Sequence, residues 1–314
     1  MNARILTSNF AAPQLKASVV AMGVFDGVHL GHQALIRDTV ALALSRGVES
    51  CVLTFDRDPD QVIAVQHAAP QLMTLDDKVA AIVALGIDTV LVIPFDAALA
   101  AMPPLEFLDT IVVPTLRPVA VLVGHDFRFG CRAHGDVDTL RQDGAVRSYD
   151  VVAHDLVVAG GKTVTSTRIR ALVESGHVAE AAVLLGRPHR VTGRVVHGRG
   201  AGIEIGTPTL NIEPVPFAAL PADGVYAGRA VTPLGTYAAG VSVGLPPMFP
   251  EATDRLEAHL LDFAGDLYGA DVVIEFTERL RDQRVFGSVD ELAVAISEDL
   301  TRIRAIVPPA DGPH

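Results

Sequence analysis

The sequence predicts an α/β domain built on a parallel sheet, followed by a smaller antiparallel β-barrel domain that ends in a helix. Three observations carry this reading. In the first half, short apolar runs alternate with stretches of helical spacing, the pattern of buried parallel strands and their crossover helices. From residue 186 the pattern changes to short β-rich runs punctuated by Gly and Pro, as in a small barrel. Over 289–306, Leu292, Ala293, Ile296, Leu300 and Ile303 recur at helical spacing. With 314 residues, nearly half of them hydrophobic, each domain can bury a core. The expected division is 1–185 and 186–314.

The first apolar run, 18–24, reads as a strand buried on both faces, and 33–45 carries apolar residues at helical spacing. Between them lies Gly23-Val-Phe-Asp-Gly-Val-His-Leu-Gly-His32. Gly23, Gly27 and Gly31 permit a tight turn and close backbone approach to a ligand. The helix start offers free N–H groups and a positive dipole end, which suit phosphate. His29 and His32, three apart, face the same way on a helical turn. Strands follow over 50–55, 89–93 and 119–123, with helices from Thr74 to about Leu85 and over 105–111. Thr74 is an N-cap ahead of Asp76 and Asp77. In such a sheet ligands bind beyond the carboxyl ends of the strands, which is where chain order puts His29, Asp56, Asp96 and the loop after Val123. That loop reads Gly124-His-Asp-Phe-Arg-Phe-Gly130. Farther on, Val164-Thr-Ser-Thr-Arg-Ile-Arg170 reads as a helix over 168–174 capped by Ser166 or Thr167, with two arginines suited to polyphosphate.

These blocks resemble the motifs of the bacterial bifunctional riboflavin kinase/FMN adenylyltransferase family. The His-x-Gly-His element is shared by the wider nucleotidyltransferase superfamily and alone implies only nucleotide transfer. The resemblance implies a Rossmann-like nucleotidyltransferase domain over 1–185. Its implied nucleotide-binding residues are Gly23, Phe25, Gly31, Asp126, Ser166, Thr167, Arg168 and Arg170, and Phe127 and Phe129 are implied at the flavin. His29 and His32, with Ser166, Thr167 and Arg168, would position and neutralise the α-phosphate. One departure is Arg57-Asp58-Pro59, where the family has Pro-His-Pro.

In the second half, β-rich runs cover 190–197, 224–231, 237–243, 256–263 and 272–280, after a helix over 179–185 that ends at Gly186. The stretch 198–211 resembles the riboflavin kinase loop, with Thr209 and Asn211 on the residues that hold Mg²⁺ and ATP phosphates. Glu257 matches the kinase base, and Arg281 and Phe286 the segment closing over flavin. The second domain departs from the family at Ile203, Thr207, Ser242, Met248 and Gln283.

The resemblance therefore implies a two-step enzyme: riboflavin to FMN, then FMN to FAD, each step using ATP, with Mg²⁺. An adenylyltransferase with a degenerate kinase module and a non-catalytic flavin-binding sensor are the alternatives. The net charge of −12 argues against a nucleic-acid partner relying on broad phosphate attraction. Cys51 and Cys131 sit in no metal or Cys-x-x-Cys pattern, 1–10 lacks a signal-peptide core, and 79–105 is too interrupted for a membrane span. A cytoplasmic enzyme of small-molecule substrates is expected. Nothing in the sequence indicates an oligomeric state.

Overall fold

The computed structural model describes residues 3–7, 15–198, 207–244 and 256–308. The glycine-rich stretch 199–206 with Ile203, Met248, half of the 1–10 segment and the tail after 308 lie outside the described residues. The chain forms two compact units, Met1–Ala69 with Thr74–Thr165, and Pro70–Met73 with Ser166–His314.

In the first unit the elements run β1 (Arg4–Thr7), β2 (Ser18–Met22), α1 (Leu30–Arg46), β3 (Glu49–Phe55), α2 (Asp60–Ile63), α3 (Leu75–Val83) and β4 (Thr89–Ile93). They continue with α4 (Ala97–Ala101), α5 (Pro104–Phe107), α6 (Val113–Leu116), β5 (Pro118–Gly124), α7 (Val137–Arg147), β6 (Asp150–His154) and a small hairpin, β7 (Val158–Ala159) with β8 (Lys162–Thr163). Six strands form one sheet in the order β1-β4-β3-β2-β5-β6, and every pairing in it is parallel. The order reverses between β2 and β5, so the switch point lies at their carboxyl ends. Strands β2 and β4 are buried at every residue, which explains why their apolar runs were legible.

Several elements were not expected, among them β1, β6 and α7. Strands β1 and β6 are the sheet edges, half exposed and without a continuous apolar run. Helix α7 mixes charges with a central Gly144, yet the Asp136–Thr139 capping box starts it. Gly144 is required there because a Cβ would lie 2.5 Å from the Tyr149 carbonyl. The helix expected over 105–111 is part of a longer run. It widens to a π turn over Leu108–Val112 just ahead of Pro114, which has no N–H to give the ladder.

The second unit begins with α8 (Ser166–Glu174) and α9 (Val178–Leu185), then β9 (His189–Val196), β10 (Leu210–Pro214), β11 (Gly224–Thr232), β12 (Gly235–Val243), β13 (Leu256–Leu260), β14 (Asp271–Arg281) and α10 (Val289–Ile306). Helix α8 starts at Ser166, so Ser166 and Thr167 are its first residues, not its caps. Six antiparallel strands close a barrel in the order β10-β13-β12-β11-β14-β9. Strand β10 lies outside the runs read as β-rich, and it supplies the closure between β9 and β13. Tyr226, Val241, Ala258, Ile274 and Phe276 fill the interior. Segment Pro70–Met73 folds with this unit: Gln71 N–H donates to the Phe217 carbonyl at 2.6 Å, and Ala219 N–H to the Gln71 carbonyl at 2.8 Å. Helix α10 buries Ala295, Asp299 and Ile303, with Leu292, Ile296 and Leu300 half-buried. Ala293 is exposed, against expectation, because it falls on the flank of that stripe.

His189 is buried at the start of β9, with Nε2–H donating to the Ala219 carbonyl at 2.8 Å and Nδ1 without a partner. Burial pushes its pKa down to about 4. The unfolded chain therefore binds the extra proton first, and stability falls as pH drops from about 6.5 to about 4, by up to ~3 kcal/mol. Above pH 6.5 this group has no effect. Urea midpoints measured from pH 8 to pH 4 should fall more steeply for the native protein than for His189→Asn. Parallel curves would contradict it.

Candidate active site

The turn after β2 is built from backbone conformations that side chains rarely adopt. Phe25 (φ 56°), Gly27 (φ 79°) and Val28 (φ 37°) are all left-handed, within and just ahead of a single 3₁₀ turn, Asp26–Val28. His29 then caps α1, its Nδ1 accepting the His32 N–H at 3.3 Å. That leaves the His29 proton on Nε2. The two imidazoles stack with centroids 3.6 Å apart, and Phe25 closes edge-on to His32 at 5.1 Å. Gly31 is needed for this, since a Cβ would sit 3.1 Å from the His29 ring, and Gly23 leaves the same room for Phe25. Of the glycines expected to bend the chain, only Gly27 has positive φ; Gly23 and Gly31 make space for rings.

The His32 Nδ1 is buried with no partner. Burial, then the neighbouring His29 and then the Lys78 ammonium hold its pKa well below the usual imidazole value. His32 is therefore neutral at pH 7. Lys78, on α3, is 6% exposed and was missed in the sequence. Its Nζ donates to the Phe55 carbonyl at 2.8 Å and the Val24 carbonyl at 3.2 Å. A lysine on an acidic-capped helix reads as surface, and no local signal marks it otherwise.

Beyond the β3 and β4 ends, the Asp56 carboxylate accepts the Phe95 N–H at 2.8 Å and pairs with Arg57 at 2.7 Å. Asp58, in place of the family's histidine, accepts the Asp60 N–H at 3.1 Å just ahead of α2. Between these loops lies an apolar cavity of about 640 Å³ whose walls include Met22, Phe55, Phe95, Phe107, Phe127 and Phe129. It reaches Gly23 and Val24. Phe127 and Phe129 stack with centroids 5.6 Å apart, and Asp126 beside them is exposed.

In the second unit, Ser166, Thr167 and Arg168 form the first turn of α8, with Thr167 exposed. Arg170 is turned to its own unit, donating to the Pro70 carbonyl at 2.8 Å.

The barrel register makes a second constellation. Asn211 on β10 lies opposite Glu257 on β13, which lies opposite Ser242 on β12. Directly paired residues share a face, and Leu256, Ala258 and Leu260 take the other face into the core. The Thr209 hydroxyl donates to a Glu257 carboxylate oxygen at 3.4 Å. A Cβ on Gly198 would collide with the Asn211 amide, so a larger residue there would displace that side chain. Gln283 donates to the Ser242 hydroxyl at 2.8 Å and the Val243 carbonyl at 3.1 Å. Two of the positions that depart from the family pattern are thus hydrogen-bonded to each other. Arg281 pairs at 2.8 Å with the buried Asp299 of α10 and lies 5.6 Å from the Phe286 ring, while Arg284 covers that ring at 4.6 Å.

Residues 11–168 match the FAD synthetase family model, and residues 185–307 the riboflavin kinase family model. Among curated relatives, a bifunctional riboflavin kinase/FMN adenylyltransferase of Pseudomonas fluorescens is 34% identical over 95% of this chain and 96% of its own. Those of Escherichia coli strain K12 and Bacillus subtilis strain 168 are 35% and 33% identical, over 92% and 90% of both chains. A solved structure described as a macrolide-efflux protein of Streptococcus pneumoniae superposes with a TM-score of 0.84 at 29% identity, covering 96% of this chain and 98% of that one. Among the described residues, no helix of the present chain is long and apolar enough to cross a membrane. Two family matches in the same order as the two architectures, and relatives spanning nearly the whole chain, agree with the motifs: the chain belongs to the bifunctional riboflavin kinase/FMN adenylyltransferase family.

Proposed function

We infer that this protein makes FMN from riboflavin and FAD from FMN, each with ATP. The observation that carries the reading is that each matched region holds its own polar constellation: stacked imidazoles in the first, Thr209–Glu257 with Asn211 in the second. We assign adenylyl transfer to 1–185 and the kinase to 186–314.

In the kinase step the terminal ribityl hydroxyl of riboflavin attacks the γ-phosphorus of ATP. Its proton passes to the Glu257 carboxylate, and ADP leaves. Thr209 and Asn211 place the ATP phosphates. Their hydroxyl and amide oxygens also suit Mg²⁺, a hard cation that takes oxygen ligands and keeps phosphates as partners. The ion, when bound, neutralises phosphate charge. Phe286, under its two arginines, forms the flavin side, with Arg281 anchored by Asp299 to hold that segment.

In the adenylyl step an FMN phosphate oxygen attacks the α-phosphorus of ATP and pyrophosphate leaves. The nucleophile is already anionic, so no base is needed, and catalysis is positioning and charge neutralisation. His29 and His32 supply donors at the phosphates. Gly23, Phe25 and Gly31 shape that turn. The exposed Asp126 would meet the nucleotide, and Phe127 and Phe129 offer the flat walls of an apolar cavity to the flavin ring. Ser166, Thr167 and Arg168 are assigned to ATP phosphates on the motif they match and the helix start they form, and Arg170 on the motif alone. Free Cys51 and Cys131 suit the reducing cytoplasm, where we place the reaction.

Chromatography of reactions with ATP and Mg²⁺ tests the reading. Riboflavin should give FMN and then FAD, and supplied FMN should give FAD. FAD from FMN with no turnover of riboflavin would leave only the adenylyl half standing.

A further inference from the structure

We propose that Lys78 is a positioning residue for adenylyl transfer, its ammonium tying the ends of β2 and β3 together at the root of the His29–His32 turn. The inference rests on that turn being the nucleotide site. The Val24 carbonyl accepts both Lys78 Nζ at 3.2 Å and Thr54 Oγ1 at 3.0 Å, and Phe55 accepts Lys78 at 2.8 Å. Immediately after Val24 the chain enters its left-handed residues, including the β-branched Val28. Such backbone persists only when its surroundings over-determine it. Two donors on the last carbonyl before the strain, one of them charged, are that constraint.

A lysine that is 6% exposed needs compensation. Asp26 from the turn, and Asp56 and Asp58 from the β3 exit, supply it. Arg57 there is paired with Asp56, and His32 faces Lys78 from α1. Strand β4, packed on α3, brings Thr89 and apolar residues only. On α3 itself stand Asp76 and Asp77, the latter accepting from the Thr74 hydroxyl at 2.7 Å. Burial lowers the Lys78 pKa to about 8 against the pull of the three aspartates. The charge-assisted bonds are therefore nearly complete below about pH 7 and are half lost at about pH 8.

The test is the pH profile of FAD formation from supplied FMN, with FMN formation from riboflavin by the same protein as the internal control. Adenylyl transfer alone should decline between about pH 7.5 and 9. Lys78→Arg, which stays charged, should remove that limb. Lys78→Met should lower kcat for FAD formation ~10–100-fold with little change in KM for FMN, as expected of lost positioning. An alkaline limb that is absent, shared with the kinase step, or retained in Lys78→Arg overturns the proposal. Near-UV circular dichroism reports whether each variant folds, and the wild-type profile decides where one does not. His32→Ala separates the two levels: activity surviving it removes the turn as the nucleotide site. Loss in His32→Ala with indifference to Lys78 removes only the present inference.

Discussion

His32→Ala is expected to cut FAD formation from supplied FMN by ~10²–10³-fold, the usual cost of removing one donor from developing phosphate charge. FMN formation from riboflavin should stay within about twofold of wild type, because the kinase constellation belongs to a separate compact unit. The ring is held between His29 and Phe25 and keeps a buried Nδ1 without a protein partner. The ring as a whole is half-buried, so the edge that protein does not close off is the one that can meet a phosphate oxygen. The depressed pKa adds a sign. His32 is already neutral at pH 7, so adenylyl transfer should not drop as pH rises through 6.5, where an ordinary imidazole would lose its proton. A steep loss across that range, or an active His32→Ala protein, would refute the role.

Glu257→Gln should reverse the pattern, with FMN formation from riboflavin falling ~10²–10⁴-fold and FAD formation from supplied FMN unchanged. Glutamine keeps the shape of the side chain and can still accept from Thr209, which donates to Glu257 at 3.4 Å. It cannot take up the proton of the attacking hydroxyl. The deficit should therefore appear in kcat, while KM for ATP, set by Thr209 and Asn211, moves little. Product appearing at the wild-type rate would show that Glu257 is a strand residue with no part in proton transfer. Together the two variants dissociate the activities on one chain, each serving as the folding control for the other's intact half.

Much of this architecture was legible in the linear chain because its signals are local. Buried β2 and β4 announce themselves as apolar runs, and α10 by its apolar stripe; Ser288, whose hydroxyl accepts the Glu291 N–H at 3.2 Å, caps it. The His29–His32 pair was visible as spacing, but His29 is the extended N-cap of α1 and not part of a helical turn, so the stacking is that of a cap residue on the first turn. Elements whose signals depend on distant neighbours were not legible. Strands β1 and β6 have one free edge and so lack a continuous apolar run, and Gly144 in α7 makes sense only once Tyr149 is packed against it.

By itself, then, the sequence determined the two architectures, their order, and the residue types offered to phosphate and flavin, since periodicity and motif spacing are properties of neighbouring residues. Only the tertiary structure decided which polar groups meet. It took Arg281 to Asp299, Arg170 to the Pro70 carbonyl and Gln283 to Ser242, and it set Asn211 opposite Glu257 by closing the barrel through β10. It also buried Lys78 on two strand-end carbonyls. A hydrogen bond between residues far apart in the chain is fixed by strand register and helix packing, and neither is written in any short stretch of residues.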